Sequence, residues 1–167
     1  MARRAFYSFH YSADSHRASQ VRNMGVVDGN KPATDNEWES ITRGGDPAIK
    51  KWIDDQLDGK SCTIVLIGAK TAGRKWIKYE IEHSWNDKKG LLGIYIHNLK
   101  DLNENQSEKG ANPFDDFTLC DGNKKLSSIV KVYNPSGSDS KAVYAHIKAN
   151  LADWIETAIS IRENFSC

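Results

Sequence analysis

Apolar positions fall along this chain in two rhythms. Thr63-Ile64-Val65-Leu66-Ile67 is an unbroken, β-branched run, the pattern of a strand buried on both faces. Gly68 ends it, and a polar link containing Gly73 follows. From Lys75 the period lengthens. Trp76, Ile77, Tyr79, Glu80, Ile81, His83 and Ser84 read as a helix with one apolar side. The unit is strand, loop, helix. Residues 4–9 predict an aromatic strand at the start, 91–96 another buried strand after Gly90 stops the preceding helix, and 129–133 the last strand. Asp14 or Ser15 suits the cap of a helix running to about Met24. Ile49, Trp52, Ile53 and Leu57 make the apolar stripe of a helix opened by Asp46-Pro47. Val143, Ile147, Leu151, Trp154, Ile155, Ala158 and Ile161 form one face of a terminal helix over 141–163, capped by Asp139 or Ser140.

The connections are less regular. Residues 25–29 read as a stunted strand or a turn, and 30–45 as a mobile loop with a short helical piece. Residues 97–125 are polar apart from Phe114 and Phe117, and predict short helical turns on a functional or variable surface. Strands alternating with helices argue one α/β domain over residues 1–167, with no repeat and no linker. The expected form is a flavodoxin-like three-layer sandwich around a central parallel sheet of four or five strands. A strand this close to the start is often central in such sheets.

Composition narrows the classes. In 167 residues, 39% hydrophobic content is too rich for disorder, and a net charge of +1 calls for neither nucleic acid nor an anionic membrane. No apolar run reaches the length of a membrane span, and residues 1–12 lack the core of a secretion signal. A cytoplasmic setting is expected. Cys62, Cys120 and Cys167 are an odd, scattered set, read as free thiols in a reducing compartment. No metal-ligand spacing occurs among Cys and His. The aromatic content, Trp38, Trp52 and Trp85 in particular, exceeds the clear needs of one small core and predicts self-association.

Glu80 is the first candidate for chemistry. It stands four residues after Trp76, so both can share a helix face just beyond a strand end, where open parallel sheets gather ligands. A carboxylate beside an indole can bind ribose hydroxyls against an apolar wall. By spacing alone, most glutamates on amphipathic helices are solvated surface residues. Ser8 and His10 share a face at the end of the first strand, but nothing supplies the orienting group of a nucleophile–base pair, so they read as a hydroxyl and an imidazole closing a strand. The stretch Gly68-Ala69-Lys70-Thr71-Ala72-Gly73-Arg74-Lys75 has the glycine spacing of a phosphate-binding loop. Arg74 and Lys75 replace its lysine and hydroxyl, so nucleotide hydrolysis loses its support. A phosphoacceptor regulator would need an aspartate where the strands end in Ile67-Gly68 and Phe9-His10.

Ala5-Phe6-Tyr7-Ser8-Phe9-His10-Tyr11 with Asp14, Arg17 and Arg22 resembles the opening of the TIR-like domains of bacterial antiphage defence systems. Residues 61–68, the Arg74-Lys75-Trp76-Ile77-Lys78-Tyr79-Glu80-Ile81 stretch, residues 92–96 and Gly110-Ala111-Asn112-Pro113-Phe114 are similar to that family in the same order. The likeness covers about residues 5–117, is looser beyond, and is to the Thoeris type. The Arg-Asp-x-x-x-Gly stretch usual in TIR domains is missing from residues 25–45. The resemblance implies a catalytic glutamate at Glu80 and a substrate pocket lined by Phe6, Ser8, Phe9, His10 and Trp76. It implies NAD as substrate, with no separate cofactor and no metal. The enzyme would cleave the nicotinamide–ribose bond as an NAD glycohydrolase or ADP-ribosyl cyclase. A cyclised ADP-ribose moiety would then reach a separate effector as a diffusible nucleotide. Glu80 could serve while ionised, without a raised pKa. The alternative is a non-catalytic TIR scaffold that acts through protein–protein contact.

Overall fold

A computed structural model describes residues 3–27 and 35–167 of the chain. In chain order its elements are β1 (Ala5–Ser8), α1 (Tyr11–Arg22), α2 (Asp35–Arg43), α3 (Gly45–Leu57), β2 (Cys62–Ile67) and α4 (Lys75–Asn86). After these come β3 (Gly90–Tyr95), β4 (Thr118–Leu119), β5 (Lys124–Lys125), β6 (Val132–Tyr133) and α5 (Ser140–Glu163). Strands β1, β2, β3 and β6 lie side by side in that order, all parallel. Ala5 pairs with Cys62 and Ser8 with Val65, so β1 and β2 deliver their carboxyl ends to one edge of the sheet.

The period of two along the strands sorts the core into layers. Ala5, Tyr7, Ile64, Leu66, Leu92 and Ile94 pack under α1 (Ala18, Val21) and α5 (Val143, Ile147, Leu151). Val65, Ile67 and Leu91 face the other way, against Ile77, Ile81 and Trp85 of α4. Phe6 packs on the same side of the strand as Ser8, with Ile49, Ile53 and Leu57 of α3. The result is the expected flavodoxin-like sandwich, with four strands in the sheet. Each fully buried Ile or Leu contributes about 2 kcal/mol, so the layers are held mainly through this interior.

Several expectations are corrected. Among the described residues, β1 ends the row of strands instead of lying at its centre, and residues 25–27 are not part of a strand. Asp28 and Gly29 of the expected stunted strand, and residues 30–34 of the expected loop, lie outside the described residues. α1 starts at Tyr11, before Asp14. Its cap is His10, whose Nδ1 accepts the Ala13 N–H at 3.1 Å, while Asp14 is buried inside the helix. Asp46 and Pro47 sit within the first turn of α3, behind Gly44. Asp139 caps α5 by accepting the Ala142 N–H at 2.9 Å. The last strand keeps only Val132 and Tyr133, because residues 126–128 coil into a single 3-10 turn.

The thiols also differ from expectation. Cys120 and Cys167 form a disulfide across 47 residues of sequence, with Cα atoms 5.4 Å apart. Cys120 sits in the β4–β5 turn, and α5 brings the tail back so that Phe165 packs on Trp85 at 5.1 Å. That return path is invisible in Cys spacing. Only Cys62 is free; it is buried, and burial pushes its thiol well above the usual range. The argument for a reducing compartment that rested on three free thiols therefore falls away.

Candidate active site

The site forms where β1 ends and α4 begins. Ser8 closes β1, and the next residues turn directly into α1. On the neighbouring strand, Ile67 is followed by a tight loop that feeds α4. That loop satisfies itself: the Gly68 N–H donates to Thr71 Oγ1 at 2.8 Å, inside the stretch with phosphate-loop spacing. Close approach needs glycine here. A Cβ on Gly68 would stand 2.1 Å from Asp14 Oδ2, and one on Gly110 would stand 2.1 Å from the Gly68 carbonyl. The chain segments are thus pressed together at the strand ends.

A cavity of about 260 Å³ opens at this place. Arg74 just before α4, with Lys75, Trp76 and Glu80 of α4, stands in its wall, as do Phe9 and His10 from the turn out of β1 and Tyr11 at the start of α1. Trp38 of α2 completes it. Of the residues expected at a site, Glu80, Trp76, Phe9 and His10 line this cavity. Ser8 is buried beneath, beside Glu80. Phe6 does not reach the wall, because its ring is taken up by the α3 core and by Trp52 at 6.5 Å.

Glu80 is only 7% exposed, and among the described residues no group bonds its Oε2. Burial pushes its carboxyl up to about 8, and Ser8 nearby restrains the rise. The Ser8 hydroxyl forms no hydrogen bond of good geometry and is itself buried without a partner. Desolvation therefore favours the neutral acid, where no raised pKa was expected for Glu80. The backbone beneath is fixed. Ser84 Oγ donates to the Glu80 carbonyl at 2.6 Å and meets Thr63 Oγ1 at 2.7 Å, tying α4 to β2.

His10 is held in one tautomer. Its Nδ1 receives the Ala13 N–H and lies 3.2 Å from Ser12 Oγ, so the ring proton of the neutral form belongs on Nε2. Burial and the Arg74 charge lower its pKa and favour that neutral form. Nε2 is buried with no partner, a donor in the wall of the cavity. Lys75 pairs with Asp46 and lies 4.9 Å from the Trp76 ring centroid. Arg74, at the cap position of α4, makes no side-chain capping hydrogen bond. An aromatic side and a cationic rim thus enclose one buried acid and one oriented donor.

Sequence spacing did not reveal Tyr11, Trp38, Arg74 or Lys75 as wall residues. Trp38 reads as core or interface, and the two cations read only as departures from a phosphate-binding loop. Trp52 and Trp85, from which self-association was expected, pack within the chain, Trp52 against Trp38 and Trp85 against Phe165. Among the described residues no cluster of three or more His, Cys, Asp or Glu is arranged for a metal, and no helix is long and apolar enough to cross a membrane.

The parallel four-stranded sheet flanked by helices is the architecture of a flavodoxin-like, TIR-like domain. The family described as Thoeris protein ThsB, TIR-like domain, matches residues 6–101, and the chain belongs to that family. It is also 39% identical over 120 residues to a protein of Bacillus cereus (strain MSX-D12) named "Putative cyclic ADP-D-ribose synthase ThsB1". That match covers 69% of this chain and 62% of the relative's length.

Proposed function

We propose that this chain cleaves the nicotinamide–ribose bond of NAD with Glu80 as the catalytic carboxylate, and then cyclises the ADP-ribose moiety. The observation that carries this reading is a nine-tenths-buried glutamate whose Oε2 has no partner among the described residues, in a cavity with an aromatic wall and a cationic rim. Nicotinamide in NAD is already a cationic leaving group, so it needs no proton from the protein. As the bond breaks, its electron pair leaves with the ring nitrogen, and positive charge spreads over C1′ and the ribose oxygen. Ionised Glu80, accepting hydrogen bonds from the ribose hydroxyls, stabilises that charge. The arriving pyridinium cation favours the carboxylate over the neutral acid that burial prefers. His10 Nε2–H can donate to a substrate oxygen, and Arg74, Lys75 and the start of α4 suit the two phosphates.

The name of the Bacillus cereus relative favours cyclisation over hydrolysis. The product would serve as a diffusible signal to a separate effector in antiphage defence, in keeping with the Thoeris family. Such a reaction belongs in the cytoplasm, where NAD is plentiful.

Purified protein incubated with NAD, with and without lysate from infected cells, tests this reading by chromatography and mass. Nicotinamide should appear together with a product lighter than ADP-ribose by one water. Glu80→Gln keeps the size and hydrogen bonding but removes the charge, and should lower turnover by roughly 100-fold or more. A folded Glu80→Gln protein with unchanged turnover would remove Glu80 from catalysis. Absence of turnover in every condition would favour the scaffold.

A further inference from the structure

The wall of the cavity opposite α4 is a column of rings. Phe9 and Tyr11 stack with centroids 5.9 Å apart and planes at 23°. Tyr11 and Trp38 stack at 5.2 Å and 22°. Trp52 then meets Trp38 edge-on at 5.7 Å and braces it from α3. Phe9, Tyr11 and Trp38 all line the same cavity as Glu80. Trp38 differs from the other two in origin. It comes from α2, outside the β1–α1 segment, and is the contribution of that helix to the wall.

From this arrangement we infer that Trp38 decides the fate of the ribosyl cation. The inference rests on the NAD reading above and assigns it a specificity-determining residue. An indole face attracts a pyridinium or a purine, by cation–π attraction in the first case and stacking in the second. A base held on this wall keeps the dinucleotide folded over Glu80 and excludes water from C1′. Once the C1′–N bond has broken, C1′ must accept an electron pair from some nucleophile. If a hydroxyl oxygen or ring nitrogen of the same molecule supplies it, one proton is released and the product is cyclic. If water supplies it, one proton is likewise released and the product is ADP-ribose. The two outcomes differ only in what stands next to C1′, and Trp38 is the part of the wall that occupies that space on the α2 side. Prepositioning of this kind changes a product ratio without changing the chemistry of bond cleavage.

The test compares the parent with Trp38→Ala, Trp38→Leu and Trp38→Phe, measuring nicotinamide, cyclic product and ADP-ribose in the same reaction. Trp38→Ala should shift the ratio of linear to cyclic product upward by roughly tenfold, the effect of losing one base–aromatic stack, and should raise KM for NAD. Trp38→Leu keeps apolar bulk without a ring and should behave like Trp38→Ala. Trp38→Phe keeps a ring and should stay near the parent ratio. Melting temperatures of all four proteins separate this from a packing role, which would move stability alike in the Leu and Phe variants and leave the ratio alone. If the parent releases nicotinamide and the ratio is the same in every variant, the assignment of Trp38 is overturned while NAD cleavage stands. If the parent releases no nicotinamide, the NAD reading itself fails. The wall is then judged by ADP-ribose titrated against parent and Trp38→Ala by calorimetry, where equal affinity overturns it.

Discussion

At the scale of a residue, the environment of Glu80 fixes how the site should respond to pH. Its carboxyl rises from 4.5 to about 8 because burial penalises the charge. The free protein must lose that proton before the carboxylate can stabilise a cation, so kcat/KM for NAD should climb with pH. Between pH 6 and pH 8 the rise should be at least about tenfold, levelling off above about pH 9. A flat profile over that range would contradict the assignment. The same burial has a cost in stability. A raised folded-state pKa means that the folded form holds its proton more tightly than the unfolded chain does. The stability from this group is whole below about 4.5 and is lost as pH rises through 8. Glu80→Gln escapes that loss. Its stability to unfolding should exceed the parent's at pH 9 by about 4 kcal/mol, and by little at pH 4. Glu80 became a candidate through its Trp-x-x-x-Glu setting and the family resemblance. Its burial was not legible, because helix spacing reports a face and not the depth of the cleft that face meets.

At the scale of elements, one buried arginine, ion-paired within α1, joins that helix to the loop over the strand ends. Arg17 donates to the Leu99 carbonyl at 2.8 Å, to the Asn105 carbonyl at 2.9 Å and to Asp14 Oδ1 at 3.0 Å. Both members of the pair are at least 96% buried, and Asp14 lies against Gly68. Arg17→Met would leave the buried Asp14 carboxyl without its ion-pair partner and the Leu99 carbonyl without its side-chain donor, while the Asn105 carbonyl keeps the Asp101 N–H. The loss should be about 3–5 kcal/mol, with faster proteolysis within residues 97–110. Asp14→Asn in the same chain should recover part of it, and a single variant as stable as the parent would show that the pair holds nothing. The β2–α4 unit was legible because an apolar run and a helical stripe are separated by Gly68 and Gly73. The Arg17 knot was not, since its acceptors are backbone carbonyls more than 80 residues away. The β4–β5 hairpin was missed for another reason: Thr118, Leu119, Lys124 and Lys125 carry no alternation of apolar and polar positions.

At the scale of the whole molecule, the chain closes on itself through its tail. Arg162 donates twice to the Trp85 carbonyl, at 3.0 and 3.1 Å, and its guanidinium lies 4.3 Å from the Trp85 ring centroid. Phe165 covers the other contact of that indole, and Cys167 reaches Cys120 in the β4–β5 turn. The tail thus joins α5, α4 and the hairpin, three elements far apart in sequence. Closing a 47-residue loop restricts the unfolded chain by an amount worth about 4 kcal/mol in the chain-entropy view. Reduction, or Cys120→Ser, should therefore lower the melting temperature by roughly 10 °C. The cavity lies at the opposite end of α4 from Trp85, so NAD turnover at room temperature should fall far less than stability does. Alkylation of the denatured protein gives an independent check. Without reductant Cys62 alone should take the label, and after reduction Cys120 and Cys167 should take it too. Labelling of all three cysteines without reductant would overturn the disulfide. The tail would then be held only by Arg162, Phe165 and the Trp85 ring, and reductant would leave the melting temperature where it was.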